Sequence, residues 1–376
     1  MKNVSGINIS IALNRDTGKS TGRIILFVGV YPVLDMYIHL FKEILEDKGY
    51  ECLVIDNNRL AEGLASLAKF VEKPVNAMFT INNLGLSIEL VPGKNMWDEL
   101  GIRCINLLMD HPFHYDNALE SAPKDTVILA MDRNHVSYVK RFYKNIACVD
   151  FLPHAGIEGK KEHPSLAERD IDVLYMGGLS KHLLERMMPD VSIFEDFDGR
   201  RLCSEVEERL IREPDITTEQ AIEEWLLSED CRYNDEDLKL IIYYFRYLDS
   251  VAVSYFREKA VKELVEAGID VTVYGSGWEC CEWIDNPHMH FGGKIAPEEV
   301  PDLMSRAKIV LNTMTWFKDG THDRIYNGML AKALVISDTS AYMNENFKNG
   351  EEMLLFDLKY IDTLPSTVNY YLSHLD

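Results

Sequence analysis

Between Lys318 and Asp338 the chain reads KDGTHDRIYNGMLAKALVISD. The pattern predicts a loop, an amphipathic helix and a short buried strand, with Gly320, Thr321, His322, Asp323 and Arg324 crowded at the loop–helix junction. A helix start presents unpaired backbone N–H groups and a partial positive charge, which favour anionic ligands such as phosphates. A histidine and an arginine beside it add charge-assisted donors, and the arginine fork matches two phosphate oxygens. The segment is expected to form half of a site for a diphosphate-containing ligand.

A second constellation, MDHPFHY over 109–115, closes a predicted strand. Asp110 or His111 could take a proton from an acceptor hydroxyl, bind a sugar, or serve structure alone. His111 and His114 have a spacing like that of a metal pair, but a bend at Pro112 keeps their rings off one helix face, so no metal site is expected.

The elements that position these residues alternate. Arg23–Val30, Glu51–Asp56, Ala77–Ile81, Arg103–Met109, Thr126–Met131 and Ile146–Phe151 are short apolar runs rich in β-branched residues. Helical patterns over Leu34–Lys48, Leu60–Phe70, Met96–Leu100 and Asn134–Tyr143 fill the gaps, and Gly29 follows the first strand. Such alternation predicts a parallel sheet covered on both faces, with ligands at the carboxyl ends of the strands. Residues 152–170 break the pattern with prolines, glycines and charges. We expect an N-terminal Rossmann-like domain over 1–155, a linker over 156–170 and a second α/β doubly wound domain over 171–376. In the second series Gly177 and Gly178 follow strand Ile171–Met176, Gly275, Ser276 and Gly277 follow Val271–Tyr274, and Gly292 and Gly293 follow His288–Phe291. Ile309–Asn312, Leu334–Ser337 and Met353–Phe356 complete it. Glycine after a strand permits a tight turn or close approach to a ligand.

A helical insertion is expected over about 180–267. Leu238, Ile241, Ile242, Phe245, Leu248, Ala252, Tyr255 and Phe256 recur at helix spacing, which predicts one long amphipathic helix. Its apolar face either packs on the rest of the domain, binds an acceptor or joins two copies as a homo-oligomer. Gly18–Thr21 has phosphate-loop composition but precedes the first strand, so the required strand–loop–helix context is missing.

The formal charge of −22 argues against nucleic acid and anionic lipid as partners. It leaves room for a small phosphate-bearing molecule held by local donors. No apolar run is long enough for a membrane span, and the N-terminus lacks a secretory layout. The seven cysteines show no metal-type spacing and read as reduced thiols in a cytoplasmic protein.

The run HDRIYNGMLAKALVISDTSAYMNENFKNGEEMLLFD resembles the C-terminal signature of group 1 glycosyltransferases of the GT-B fold, most nearly the spore-maturation-protein-like subgroup. Residues 273–278, VYGSGW, are similar to a second motif of that subgroup. The resemblance implies two Rossmann-like domains facing a cleft, a nucleotide diphosphate-sugar held by the C-terminal domain as co-substrate, and a hydroxyl acceptor held by the N-terminal domain. His322 and Arg324 would contact the diphosphate, Gly320 and Thr321 would give backbone donors, and Gly275, Ser276, Gly277 and Trp278 would line the nucleotide. UDP is the nucleotide implied. Where the family has two glutamates this chain has Gly320 and Asn327. Asn327 thus stands at the ribose position, with Asp323 as the nearby carboxylate that could replace the lost contact. Lys332 replaces a small residue, Ser337 and Asp338 either touch the sugar or cap a turn, and His154 either reaches the donor or is a hinge residue. No Asp-x-Asp run follows a strand, and Asp235-Glu236-Asp237 reads as a helix start. No metal cofactor is therefore expected, with His322 and Arg324 neutralising the leaving diphosphate.

The function expected is hexosyltransferase-type sugar transfer from a nucleotide diphosphate-sugar. The alternatives are a nucleotide-sugar epimerase and a non-catalytic binding or scaffold protein on the same fold. The sequence leaves the sugar, the acceptor and the stereochemical outcome open. Residues 357–376 leave room for one short helix near Ser366–His374, so either the last helix is abbreviated or the sequence is incomplete.

Overall fold

The computed structural model describes residues 22–161 and 163–375. The Gly18–Thr21 run and the N-terminal segment read for a secretory layout lie outside the described residues. The chain divides into two compact units, one up to Leu152 and one from Pro153. The expected boundary stood at 155, with 156–170 as a linker.

In the first unit the strands are β1 (Arg23–Val28), β2 (Glu51–Asp56), β3 (Ala77–Ile81), a hairpin of β4 (Glu89–Val91) and β5 (Lys94–Asn95), then β6 (Arg103–Leu108), β7 (Thr126–Ala130) and β8 (Cys148–Phe151). The main sheet runs β2-β1-β3-β6-β7-β8, and every pairing in it is parallel. Helices α1 (Pro32–Asp47), α2 (Leu60–Phe70) and α3 (Arg133–Phe142) are among its crossovers. Strand periodicity builds two cores. Ile25 and Phe27 join one with Trp97 and Met78, while Ile24, Leu26 and Val28 join the other with Ile38 and Leu45. A strand buried on both faces must be apolar at every position, which is why RIILFV reads as a continuous hydrophobic run.

The second unit repeats the plan. Its strands are β9 (Ile171–Met176), β10 (Val271–Tyr274), β11 (Met289–Gly293), β12 (Ala307–Asn312), β13 (Leu334–Asp338) and β14 (Leu354–Phe356). They pair in the order β11-β10-β9-β12-β13-β14, all parallel. On β9, Val173 and Tyr175 face one core while Ile171, Leu174 and Met176 face the other. The order reverses between β9 and β12, the switch point where doubly wound sheets open a ligand crevice beyond the strand ends.

The longer helices between β9 and β10 are α4 (Gly199–Arg212), α5 (Thr218–Ser228), α6 (Asp235–Phe245) and α7 (Tyr247–Glu266). The single long helix expected through Leu238 and Phe256 is two helices broken at Arg246. At the break the Tyr243 carbonyl accepts from the Arg246 guanidinium, which also lies 3.9 Å from the Tyr243 ring centroid. Beyond β12 come α8 (Asp323–Leu330) and α9 (Leu364–Leu372), and Leu364 and Val368 pack in the same core as Leu264 and Val261 of α7.

The segment expected as a linker is bound to the second unit. Ile157 N–H donates to Asn327 Oδ1 at 2.7 Å, Lys160 N–H donates to Asp302 at 3.0 Å, and the Arg169 guanidinium holds the Ala307 and Ala331 carbonyls.

Candidate functional site

In the first unit, Asp110 and His111 separate in function although adjacent in sequence. His111 is 5% exposed. Its ring stacks on Phe113 at 3.6 Å and meets His135 and Tyr138 edge-on. Burial holds its imidazole well below the usual range, so it is neutral and enclosed. That corrects the expectation of His111 as an accessible base. His114, three residues on, is exposed, so the two histidines do not share a site. Asp110 is exposed at the end of β6, and its Oδ2 accepts from Asn82 Nδ2 at 2.9 Å and from the Tyr115 hydroxyl at 2.7 Å. Asn82 and Asn83 both take left-handed backbone angles (φ 50° and 67°) at the end of β3. Strained backbone of this kind persists where the surroundings fix it, and here it aims the amide that anchors Asp110. Gly29, at φ 106° after β1, donates its N–H to Asp35.

In the second unit the predicted residues gather at the switch point. Gly177 and Gly178 continue β9, and Gly275, Ser276 and Gly277 continue β10. The two loops extend the ladder, with Gly177 N–H donating to the Tyr274 carbonyl at 2.9 Å and Leu179 N–H to the Ser276 carbonyl at 2.8 Å. Gly177 has φ 155° and Gly275 φ 141°. A Cβ at Gly177 would stand 2.5 Å from Arg324 Nη1, and one at Gly275 would land on the Gly177 carbonyl. These positions need glycine because loop, loop and guanidinium touch. Trp278 is fully buried, its Nε1 donates to the Gly177 carbonyl at 2.7 Å, and its ring meets Tyr175 edge-on. Its ring is thus packed in the core, and its contribution to the expected nucleotide-lining motif is to hold the Gly177 carbonyl. Ser276 is the exposed member of the motif.

Helix α8 starts at the same place. Arg324 is 7% exposed, with Nη1 donating to the Met176 carbonyl and Nη2 to the Thr313 carbonyl at 3.2 Å. It ties the ends of β9 and β12 together. Arg324 Nη2 also lies 3.1 Å from His322 Nε2. A guanidinium only donates, so Nε2 is the acceptor and the ring proton sits on Nδ1. That proton meets Asp323 Oδ1, 2.5 Å away. Nδ1 then has no lone pair for the Arg324 N–H, 3.2 Å off, and this amide stays among the orphan donors of the helix start. Burial and the Arg324 charge move the His322 pKa down to about 3, so it is a neutral link in a relay rather than the charged donor expected. Burial raises the Asp323 carboxyl, but His322 and Arg324 lower it further, and it stays ionised. His322 packs among the rings of Trp316, Phe317 and His154, stacking on His154 at 5.6 Å.

Asn327 is buried and its Oδ1 is used by Ile157, so it clamps the 153–157 segment onto α8. Gly320 and Thr321 are also buried, the Gly320 carbonyl accepting from Ser340 Oγ at 2.6 Å. Ser337 Oγ accepts from Asn312 Nδ2 at 2.8 Å, and Asp338 Oδ1 accepts from the Met314 N–H at 2.7 Å. Lys332 takes a left-handed φ of 54° where α8 turns into β13.

Residues 255–376 match the glycosyl transferase-like family model. Comparison with the curated proteins gives no match. Among solved structures, an alpha-glucosyltransferase in complex with UDP and a 13-mer DNA containing an HMU base aligns with TM-score 0.51 at 9% identity, over 94% of this chain and 91% of its own. Anabaena HepE in complex with UDP-glucose aligns with TM-score 0.48 at 12% identity, over 93% and 89%. Sucrose-phosphate synthase from Thermosynechococcus elongatus aligns with TM-score 0.47 at 11% identity, over 94% and 90%. The first of these shows a likeness of fold: an α/β chain with two Rossmann-like parallel sheets, as in GT-B glycosyltransferases.

The glycosyl transferase-like segment begins inside α7 and takes in Arg257, a residue that sequence reasoning missed. Arg257 Nη1 donates to the Gly178 carbonyl at 2.6 Å, its guanidinium lies 4.7 Å from the Trp316 ring centroid, and its Nε is buried with no partner. Burial, aided by the charge of Arg324, moves its pKa down to about 10, so it remains a cation. Neither Arg257 nor Arg324 makes a salt bridge among the described residues. Two guanidiniums at adjacent glycines, Arg324 buried and Arg257 half-buried, stand beside a helix start without a salt-bridged carboxylate and make this end of β9 electropositive.

Proposed function

We propose that this chain is a glycosyltransferase that moves a sugar from a nucleotide diphosphate-sugar to a hydroxyl acceptor. The observation that carries this is the unpaired Arg257–Arg324 couple at the β9 end, within the glycosyl transferase-like segment. In transfer, the anomeric C–O bond breaks and its electron pair stays on the diphosphate oxygen. The acceptor oxygen bonds to the anomeric carbon and its proton leaves to a base. The growing negative charge is met by the two guanidiniums and the orphan Arg324 amide at the start of α8, preorganised by the surrounding fold. They supply the charge that a divalent ion supplies elsewhere, so we propose a metal-independent reaction. Asp110, anchored on one oxygen and exposed, is the candidate base, and the first unit is the candidate acceptor carrier.

UDP is the nucleotide to test first, because the family resemblance implies it and the alpha-glucosyltransferase of like fold was solved with UDP. A DNA acceptor is disfavoured here by the net charge of −22. The transferred group we propose is a hexose, the subgroup is the spore-maturation-protein-like one, and the location is cytoplasmic. No described helix is long and apolar enough to cross a membrane. A nucleotide-sugar-binding protein without turnover is the second reading, favoured by the commitment of Asn327 to Ile157. Release of UDP from a panel of UDP-sugars separates the two. Turnover that survives EDTA is the expected result. Binding of UDP-sugars with no release from any would support the second reading, and release that stops with EDTA would refute metal independence.

A further inference from the structure

A cavity of about 300 Å³ opens beyond the ends of β12, β13 and β14, and neither Arg257 nor Gly178 lines it. Its wall includes Thr315, Phe317 and Lys318 of that loop, Asp338 of β13, Asn344 of the short helix Ala341–Asn346, and Asp215 of the α4–α5 turn. Phe317 is the partition. It lines the cavity and also meets the His154 and His322 rings of the diphosphate site. Ser340 Oγ on the Gly320 carbonyl and Lys318 Nζ on the Pro214 carbonyl fasten the loop between the two spaces.

Two polar groups at this cavity are buried, and one of them lacks a partner. Thr315 is 3% exposed, and its hydroxyl has no hydrogen-bond partner. Asp338 is 1% exposed, with Oδ1 turned to the Met314 amide and the Ser337 hydroxyl. A buried hydroxyl without a partner costs free energy unless a ligand or water meets it. The chemistry of the wall narrows the ligand. Asp357 and Asp215, the latter paired with Lys359, leave the wall no excess positive charge with Lys318 to hold an anion. No group of three His, Cys, Asp or Glu suited to a metal ion exists among the described residues. Mixed donors and acceptors beside one aromatic ring suit vicinal hydroxyls, which donate and accept at once. The volume lies at the small end of ligand pockets.

We propose that this cavity is a second binding site, separate from the diphosphate site, for a small neutral polyhydroxylated molecule of monosaccharide size. The probes are D-glucose and myo-inositol, observed by saturation-transfer NMR on the full chain, alone and with saturating UDP. The expected result is transfer to at least one probe that persists under UDP. It falls at least tenfold in Asn344→Trp, which plugs the mouth from an exposed helix position, and falls in Thr315→Val. Arg257→Met leaves it unchanged. The site is overturned by absence of transfer to both probes, by a signal that UDP abolishes, or by one that Asn344→Trp leaves intact. Transfer to the probes alone and its loss in Asn344→Trp need no UDP binding, so those two arms stand or fall apart from the donor reading.

Discussion

At the scale of single residues, the interior charges separate sites of function from sites of structure. Arg324→Ala is a poor probe, because that side chain ties β9 to β12 through the Met176 and Thr313 carbonyls. Arg257 is the better one. Its hydrogen bond to the Gly178 carbonyl leaves its buried Nε unpartnered, so it is a half-buried cation with little internal compensation. Arg257→Met keeps the packing on Trp316 and removes the charge. We expect UDP affinity to fall at least ~10-fold, about 1.4 kcal/mol, by calorimetry, with the melting temperature unchanged or raised. Unchanged affinity, or a melting point lower by more than about 5 °C, would mark a structural anchor instead. Asp338 gives a pH-dependent test. Burial raises its pKa from 3.8 to about 7. The folded state therefore holds a proton that the unfolded state releases near pH 4. The associated stability is present below that pH and lost as pH rises through about 7. Asp338→Asn keeps the oxygen that accepts from Met314. It should be more stable than the parent at pH 8 by roughly 2–4 kcal/mol in urea melts, with the gap closing below pH 4. A constant gap across that range would show that Asp338 does not titrate with folding.

At the scale of elements, the strands were legible and several side chains on them were not. Buried parallel strands are apolar at every position, so β1, β9 and β12 announce themselves, and glycines after β9 and β10 mark the ends that carry the site. Whether a side chain at such an end meets a ligand or the core depends on partners distant in sequence. Trp278 points at the Gly177 carbonyl, and His111 lies between Phe113 and His135, so both are lost to the interior. Arg257 was missed for the opposite reason, since an arginine within a helix reads as solvated surface. The available signal was its register: it sits three residues after Ser254 and three before Ala260, both buried, on the packed stripe of α7. The glycine loops yield the prediction at this scale. Gly275→Ala would set a methyl against the Gly177 carbonyl that Trp278 holds, at a φ that disfavours any side chain. A loss on the order of 2–4 kcal/mol is expected in urea unfolding, together with weaker UDP binding because Gly177 abuts Arg324. A loss below about 0.5 kcal/mol would show that these loops are not closely packed.

At the scale of the whole molecule, four cores among the described residues flank the two sheets, and each keeps to one of the two units that divide at Leu152. Domains with cores of their own fold alone. The residues proposed to hold the donor diphosphate, from Gly177 to Arg324, all belong to the second unit, whereas the candidate base Asp110 belongs to the first. A cut before Pro153 also spares the segment that packs on α8, including the Ile157 bond to Asn327 and the His154 ring on His322. A fragment of residues 153–376 is therefore expected to unfold cooperatively in urea and to bind UDP within about threefold, or ~0.7 kcal/mol, of the full chain. It should transfer no sugar, because the proposed acceptor carrier and base are gone. Cooperative folding with UDP binding more than ~10-fold weaker would mean that the first unit contributes to the donor site. Transfer by the fragment alone would remove Asp110 from the reaction.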